Sequence, residues 1–93
     1  MANHRSAIKK AKQIEKRYKR NRFYRTRVKN VIKEVRLAVA SKSLEEAEKA
    51  LNKAIPVISK AASKGVLHRR NAARKISRLM KKVDILKQQV QEA

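Results

Sequence analysis

The chain has 93 residues, with 27 lysines and arginines against seven aspartates and glutamates, and a formal net charge of +20. This length fits one domain, spanning residues 1–93, with no room for a core that also encloses a substrate pocket. The absence of cysteine excludes disulfides and thiolate metal sites. So large a positive charge opposes compaction unless a polyanion is present, which indicates nucleic-acid binding.

The composition favours helices. Aromatic residues make up only 3% of the chain and Gly and Pro occur once each, whereas Ala, Lys, Arg, Leu and Glu are abundant. Apolar positions recur three and four residues apart in three segments. We therefore predict an all-α three-helix bundle with an extended basic N-terminal helix, the helices lying near 6–40, 43–64 and 68–91.

The first predicted helix is longer than its partners and would measure about 50 Å. Its apolar stripe passes through Val28, Ile32, Val35 and Val39. Upstream the stripe continues through Arg25, Asn21, Tyr18, Ile14, Ala11 and Ala7. Arg25 and Asn21 are polar, and the second and third helices are too short to cover the whole of the first helix. We expect the N-terminal half to project from the bundle and to be covered by another molecule.

This projecting half is strongly basic, and Glu15 is its only acidic residue between Arg5 and Arg27. Neutralising phosphates would release counterions, so such a segment binds polyanions strongly. All three aromatic residues, Tyr18, Phe23 and Tyr24, lie here. They either stack on unpaired bases or pack on the end of the bundle or on ribose.

The second predicted helix is nearly neutral and has clear ends. Ser43 and Glu46 have the spacing of a capping box, in which the serine caps the helix and the glutamate reaches back to the cap N–H. Gly65 should end the helix in a left-handed conformation, with the next residues packing back. Pro56 removes one backbone hydrogen bond, so we expect a kink there. The predicted apolar stripe is Leu44, Ala47, Leu51, Ala54, Ile58 and Ala61.

The third predicted helix begins with a second basic cluster. Free N–H groups at a helix N-terminus favour an anion, and arginine adds forked phosphate contacts. His68 either caps this helix or donates to RNA. With no cysteine and only His4 elsewhere, a zinc site is not expected, nor is any cofactor or catalytic pair. The predicted apolar stripe is Ala72, Ile76, Leu79, Val83, Leu86 and Val90.

Several stretches resemble one known family. They are Met1-Ala2-Asn3, Ser6-Ala7, Lys9-Lys10, Lys64-Gly65-Val66-Leu67-His68, Ala72-Ala73-Arg74 and Ser77-Arg78-Leu79. With the basic first helix, they resemble the S-twenty family of bacterial small-subunit ribosomal proteins along the whole chain. The resemblance implies a structural, non-enzymatic, cytoplasmic protein, monomeric within the subunit. It further implies direct binding to small-subunit ribosomal RNA early in assembly, bridging the 5′ domain and the 3′ minor domain.

We expect the RNA contacts, mostly to phosphates, in two segments. The residues are His4, Arg5, Ser6, Lys9, Lys10, Lys12, Lys16, Arg17, Lys19, Arg20, Asn21, Arg22, Arg25, Lys64, Gly65, His68, Arg69, Arg70, Asn71, Arg74, Lys75 and Arg78. The main alternative is a nucleoid-type DNA-binding protein, although no helix-turn-helix pattern is present. A second alternative is an amphipathic helix at residues 7–39 on anionic membranes, which the polar positions Asn21 and Arg25 disfavour. We expect neither a membrane nor a small-molecule partner.

Overall fold

The computed structural model describes the backbone of residues 2–92 and the side chains of residues 6–91. It contains three α-helices: α1 (Ala2–Ala40), α2 (Leu44–Ser63) and α3 (Arg69–Glu92). The predicted all-α class is therefore confirmed. The predicted ranges of the second and third helices included their capping residues. The first helix starts four residues before its predicted start, because nothing in the sequence before residue 6 interrupts the helix.

A three-residue turn joins α1 to α2 and closes both helix ends. Lys42, with φ 60°, takes the left-handed conformation, and its N–H donates to the Val39 carbonyl. The Ser43 N–H donates to the Ala38 carbonyl at 3.3 Å, and its Oγ accepts from the Glu46 N–H at 3.4 Å. Ser43 thus ends one helix and caps the next. The prediction that the Glu46 side chain accepts from the Ser43 N–H was wrong, because this N–H donates to the Ala38 carbonyl instead.

The core is small and centres on α2, which contacts α1 and α3 more extensively than these contact each other. Ala47, Ala54 and Ala61 recur every seven residues along α2 and are fully buried. Side chains this small allow neighbouring helices to approach closely. Ile58 and Val35 are the largest fully buried side chains. The bundle is therefore held by few large apolar groups, although its predicted stripes on α2 and α3 are mostly confirmed.

The predicted stripe on α1 needs correction. Val31 and Ala38 are buried with Val28 and Val35, whereas Ile32 and Val39 are half-buried. The face toward α2 therefore follows positions 28, 31, 35 and 38, and Ile32 turns toward α3. Further upstream the buried face continues to Tyr24 rather than Arg25, which is exposed. On α3, Val90 is 46% exposed because the partner helices end before it.

The N-terminal half of α1 leaves the bundle, as predicted. Every side chain from residue 6 to residue 20 is exposed, including Ile14 and Tyr18, each at 66%. The molecule extends 73 × 21 × 14 Å, with a radius of gyration of 18.5 Å. A compact domain of this length would have a radius near 12 Å, as an order-of-magnitude estimate. The molecule is therefore a rod with a bundle at one end.

Candidate nucleic-acid interface

The first basic segment, residues 6–27 of α1, presents its cations to solvent. All ten of its lysine and arginine side chains are exposed. Among the described side chains, Lys19 pairs with Glu15 at 3.2 Å, and no other cation of the segment has a carboxylate within 4 Å. An exposed ion pair of this kind contributes little. The positive field of this segment is therefore almost uncompensated.

The second basic segment, residues 64–78, begins at the turn between α2 and α3. Gly65 has φ +77°, and its N–H donates to the Ala62 carbonyl at 3.0 Å. The Val66 N–H donates to the Ala61 carbonyl, also at 3.0 Å, and the Val66 side chain is buried. These paired bonds form a Schellman motif. The predicted glycine closure is confirmed, and it fixes the position at which α3 starts.

His68 caps α3, which is the first of the two roles predicted for it. Its Nδ1 accepts from the Arg70 N–H at 3.2 Å, and its carbonyl accepts from the Ala72 N–H at 3.0 Å. The side chain itself is exposed. No acidic residue occupies the first turn of α3, where Arg69 and Arg70 lie. Cations there oppose the helix dipole, so an anion bound at this end would relieve the repulsion.

Most predicted site residues are accessible. Asn21 and Lys75 are half-buried, and the side chains of His4 and Arg5 lie outside the described residues. The remaining predicted residues are exposed; they are Ser6, Lys9, Lys10, Lys12, Lys16, Arg17, Lys19, Arg20, Arg22, Arg25, Lys64, Gly65, His68, Arg69, Arg70, Asn71, Arg74 and Arg78. The structure thus leaves both predicted segments free to meet a large ligand.

The two segments approach each other where α1 leaves the bundle. Lys60, one turn before the end of α2, lines the same concavity as Phe23 and Arg27 of α1. The second segment follows directly after α2 and therefore begins beside the middle of α1. Basic side chains then continue in both directions, outward along α1 and back along α3. A ligand spanning the junction would meet both segments.

Three further cations, Arg36, Lys81 and Lys82, were not predicted from the sequence and join the predicted Lys75 and Arg78 in one groove. A groove between α1 and α3 is lined by Arg36, Lys75, Arg78, Lys81 and Lys82, with Ile32, Leu79 and Ile85 as its apolar part. Within residues 6–91, whose side chains are described, no carboxylate lines this groove. Lys75, Arg78 and Lys82 have helical spacing, a signal that was available in the sequence. Arg36 could be assigned to the groove only after α1 and α3 were placed together.

Of the two alternatives left open by the sequence, the structure shows packing on the end of the bundle for Tyr24. Tyr24 is half-buried and packs against the core, so it belongs to the end of the bundle. Phe23 is 55% exposed and Tyr18 is 66% exposed. The Phe23 and Tyr24 rings meet edge to face, with centroids 5.4 Å apart. Phe23 and Tyr18 are therefore the most accessible aromatic residues.

Within the described residues, no group of three histidine, cysteine, aspartate or glutamate side chains lies close enough to hold a metal ion. None of the helices described combines the length and apolarity needed to cross a membrane. The interface is therefore defined by cations and by the few exposed aromatic side chains among them.

Comparison with known proteins agrees with this geometry. The family model described as "Ribosomal protein S20" matches residues 2–84. A relative named "Small ribosomal subunit protein bS20" from Oleidesulfovibrio alaskensis is 60% identical over 90% of this chain and 97% of its own length. Its namesakes from Nitratidesulfovibrio vulgaris strain DP4 and Geotalea daltonii are 58% and 56% identical, over 90% and 92% of this chain and 97% and 99% of theirs. The chain therefore belongs to the bacterial ribosomal protein S20 family, and it is a structural, non-enzymatic constituent of the small subunit of the cytoplasmic ribosome.

Proposed function

We propose that the chain binds small-subunit ribosomal RNA directly and holds its 5′ domain against its 3′ minor domain during assembly. The observation that carries this proposal is the pair of exposed, nearly uncompensated basic segments on one rod. A rod of this kind can reduce the repulsion between two RNA helices by placing cations between them. The choice of these two RNA domains follows from the resemblance to the family.

The contacts in this proposal are made mainly to phosphates. A-form RNA hides its base edges in a deep and narrow major groove, so proteins recognise it through shape, phosphates and 2′-hydroxyls. The first segment would lie along one RNA helix. The second segment and the groove between α1 and α3 would meet another RNA segment. Arg69, Arg74 and Arg78 are suited to forked phosphate contacts there.

Chemical footprinting tests this assignment. Small-subunit ribosomal RNA would be probed with and without the protein, and we expect protection in both the 5′ domain and the 3′ minor domain. Neutralising Arg17, Arg20 and Arg22 should remove one set of protections and leave the other. Neutralising Arg69, Arg74 and Arg78 should do the reverse. Protection confined to one domain would overturn the bridging role.

A competition experiment separates this proposal from the nucleoid-type alternative. The protein would be bound to a labelled ribosomal RNA fragment and challenged with unlabelled RNA or with duplex DNA of equal length. We expect RNA to compete much more strongly than DNA. Stronger competition by DNA would favour the alternative. Co-sedimentation with anionic vesicles in the absence of RNA tests the membrane-surface alternative, for which we expect weak, salt-sensitive binding only.

A further inference from the structure

A concavity lies between α1 and α2, at the point where the N-terminal half of α1 leaves the bundle. It is lined by Phe23, Tyr24, Arg27, Pro56, Val57 and Lys60, and we call it the Phe23 pocket. Its walls are aromatic and aliphatic, two of its members are cationic, and no carboxylate lines it among the side chains that the structure describes. An aromatic ring next to two cations distinguishes this pocket from the groove between α1 and α3, whose apolar part is aliphatic. It therefore suits a ligand with a flat apolar part and negative charge nearby.

The aromatic ring in this pocket is held in place but not covered. Phe23 is 55% exposed, and its ring makes an edge-to-face contact with that of Tyr24, which packs against the core. The Arg27 guanidinium lies 5.6 Å from the Phe23 ring centroid, within the range of a cation–π contact. A fixed phenylalanine that contributes little to the core is available for recognition. A planar guanidinium beside it adds a second surface on which a base can stack.

We propose that the Phe23 pocket receives one unpaired nucleobase of the bound RNA, which stacks on Phe23 while the adjoining phosphates meet Arg27 and Lys60. The proposal rests on the RNA binding proposed above and specifies what one site recognises. A base has a flat π-face and is flanked by phosphates, so it matches both parts of the pocket. A paired base inside an A-form helix presents neither face, so only a bulged, looped or terminal nucleotide fits.

The test uses the full-length protein and two RNA hairpins. One hairpin carries a single bulged 2-aminopurine nucleotide, and the other has the same stem without the bulge. We expect the protein to bind the bulged hairpin about tenfold more tightly, the scale of one base–aromatic stacking contact. The fluorescence of 2-aminopurine should change on binding, because its emission responds to stacking.

Three variants make the test specific. Phe23→Ala should abolish the preference for the bulge and the fluorescence change, while affinity for the paired hairpin stays within about twofold. Leu37→Ala, which removes an apolar side chain that is 60% exposed and lies outside the pocket and both basic segments, should keep both. Phe23→Leu preserves an apolar contact with Tyr24 without a ring, and it should also lose the preference. Phe23→Leu therefore shows whether the preference for the bulge requires the aromatic ring, even if Phe23→Ala fails to fold.

Two results would overturn the proposal. One is equal affinity of the unaltered protein for both hairpins, and the other is equal loss of preference in Phe23→Ala and Leu37→Ala. Neither result would affect the proposed RNA binding, which is measured by affinity for the paired hairpin and by footprinting. If the paired hairpin itself failed to bind at moderate salt while the bulged hairpin bound, the phosphate-based function would fail and the pocket would stand.

Discussion

Replacing Arg17, Arg20 and Arg22 with glutamine should weaken RNA binding in a manner that depends steeply on salt. The three side chains are exposed, and no carboxylate of the described residues 6–91 lies within 4 Å of them, so each can contact a phosphate. Each phosphate contact contributes about 0.7 to 0.9 to the slope of log affinity against log salt. Three lost contacts should therefore reduce the slope by about 2 to 3.

The same relation gives the loss of affinity. At 0.1 M monovalent salt, three contacts correspond to roughly two to three powers of ten in affinity, and the difference should vanish as the salt approaches about 1 M. Fluorescence anisotropy with a labelled small-subunit ribosomal RNA fragment, repeated across a salt series, measures both quantities. Glutamine is a good helix former, so circular dichroism should show that α1 is unchanged.

A matched control separates local contacts from net charge. Replacing Lys42, Lys49 and Lys53 with glutamine lowers the net charge by the same three units, but these residues lie in the nearly neutral middle of the chain. Lys49 and Lys53 are also paired with glutamates, at 3.5 and 3.4 Å. We expect this control to change the slope of log affinity against log salt by less than the contribution of one phosphate contact. Equal losses in the two triple variants would refute the reasoning, because affinity would then follow total charge alone.

Three further predictions concern the bundle and the free end of α1. Gly65 has φ +77°, a left-handed conformation that a Cβ disfavours, so Gly65→Ala should destabilise the fold by about 1 to 2 kcal/mol. Lys42 takes the same conformation with φ 60°, so Lys42→Gly should stabilise the fold by up to about 1 kcal/mol. Ile58→Ala should cost about 2 to 5 kcal/mol, since the side chain is fully buried. Both sets are measured by urea denaturation. Backbone amides of residues 6–20 should exchange rapidly with solvent in the free protein and slowly in the RNA complex, as measured by hydrogen exchange, because no helix packs on them.

Each of these predictions has a result that contradicts it. Equal stability of the Gly65→Ala and unaltered proteins would show that the turn relaxes without cost. A loss of stability in Lys42→Gly would show that the lysine side chain contributes more than the strain it carries. A loss below 1 kcal/mol in Ile58→Ala would mean that the core collapses around the gap. Slow exchange of residues 6–20 in the free protein would show that α1 is stable without RNA.

The sequence was sufficient for the helices because their local signals agree with their packing. Apolar spacing predicted α2 and α3, and the conformation of Gly65 followed from its position at the end of α2. The sequence was less informative about α1, where valine, isoleucine and alanine occupy two adjacent faces. Either face satisfies the helical period, and only the position of α2 selects the one that includes Val31.

The candidate interface was predictable as charge but not as shape. Unbroken runs of lysine and arginine identified both basic segments without any knowledge of the fold. The Phe23 pocket could not be found in this way, because Phe23 and Pro56 are distant in sequence and meet only through the packing of α2 on α1. The role of Arg36 in the groove was hidden for the same reason. Residues that act through a tertiary neighbour carry no local signal.

The N-terminal part of α1 projects from the bundle, so a small bend where it leaves the bundle displaces its tip by a larger distance. About 18 residues extend beyond the junction, roughly 27 Å, so a bend of one degree there displaces the tip by about 0.5 Å. Forked arginine contacts tolerate such displacement poorly, whereas lysine is a point charge on a flexible stem. All four cations between residues 6 and 16 are lysines, and between residues 17 and 27 arginines outnumber lysines five to one. Apart from Arg5, the arginines of this part of α1 therefore lie close to the bundle, where a bend displaces them least, and the lysines lie farther out, where it displaces them more.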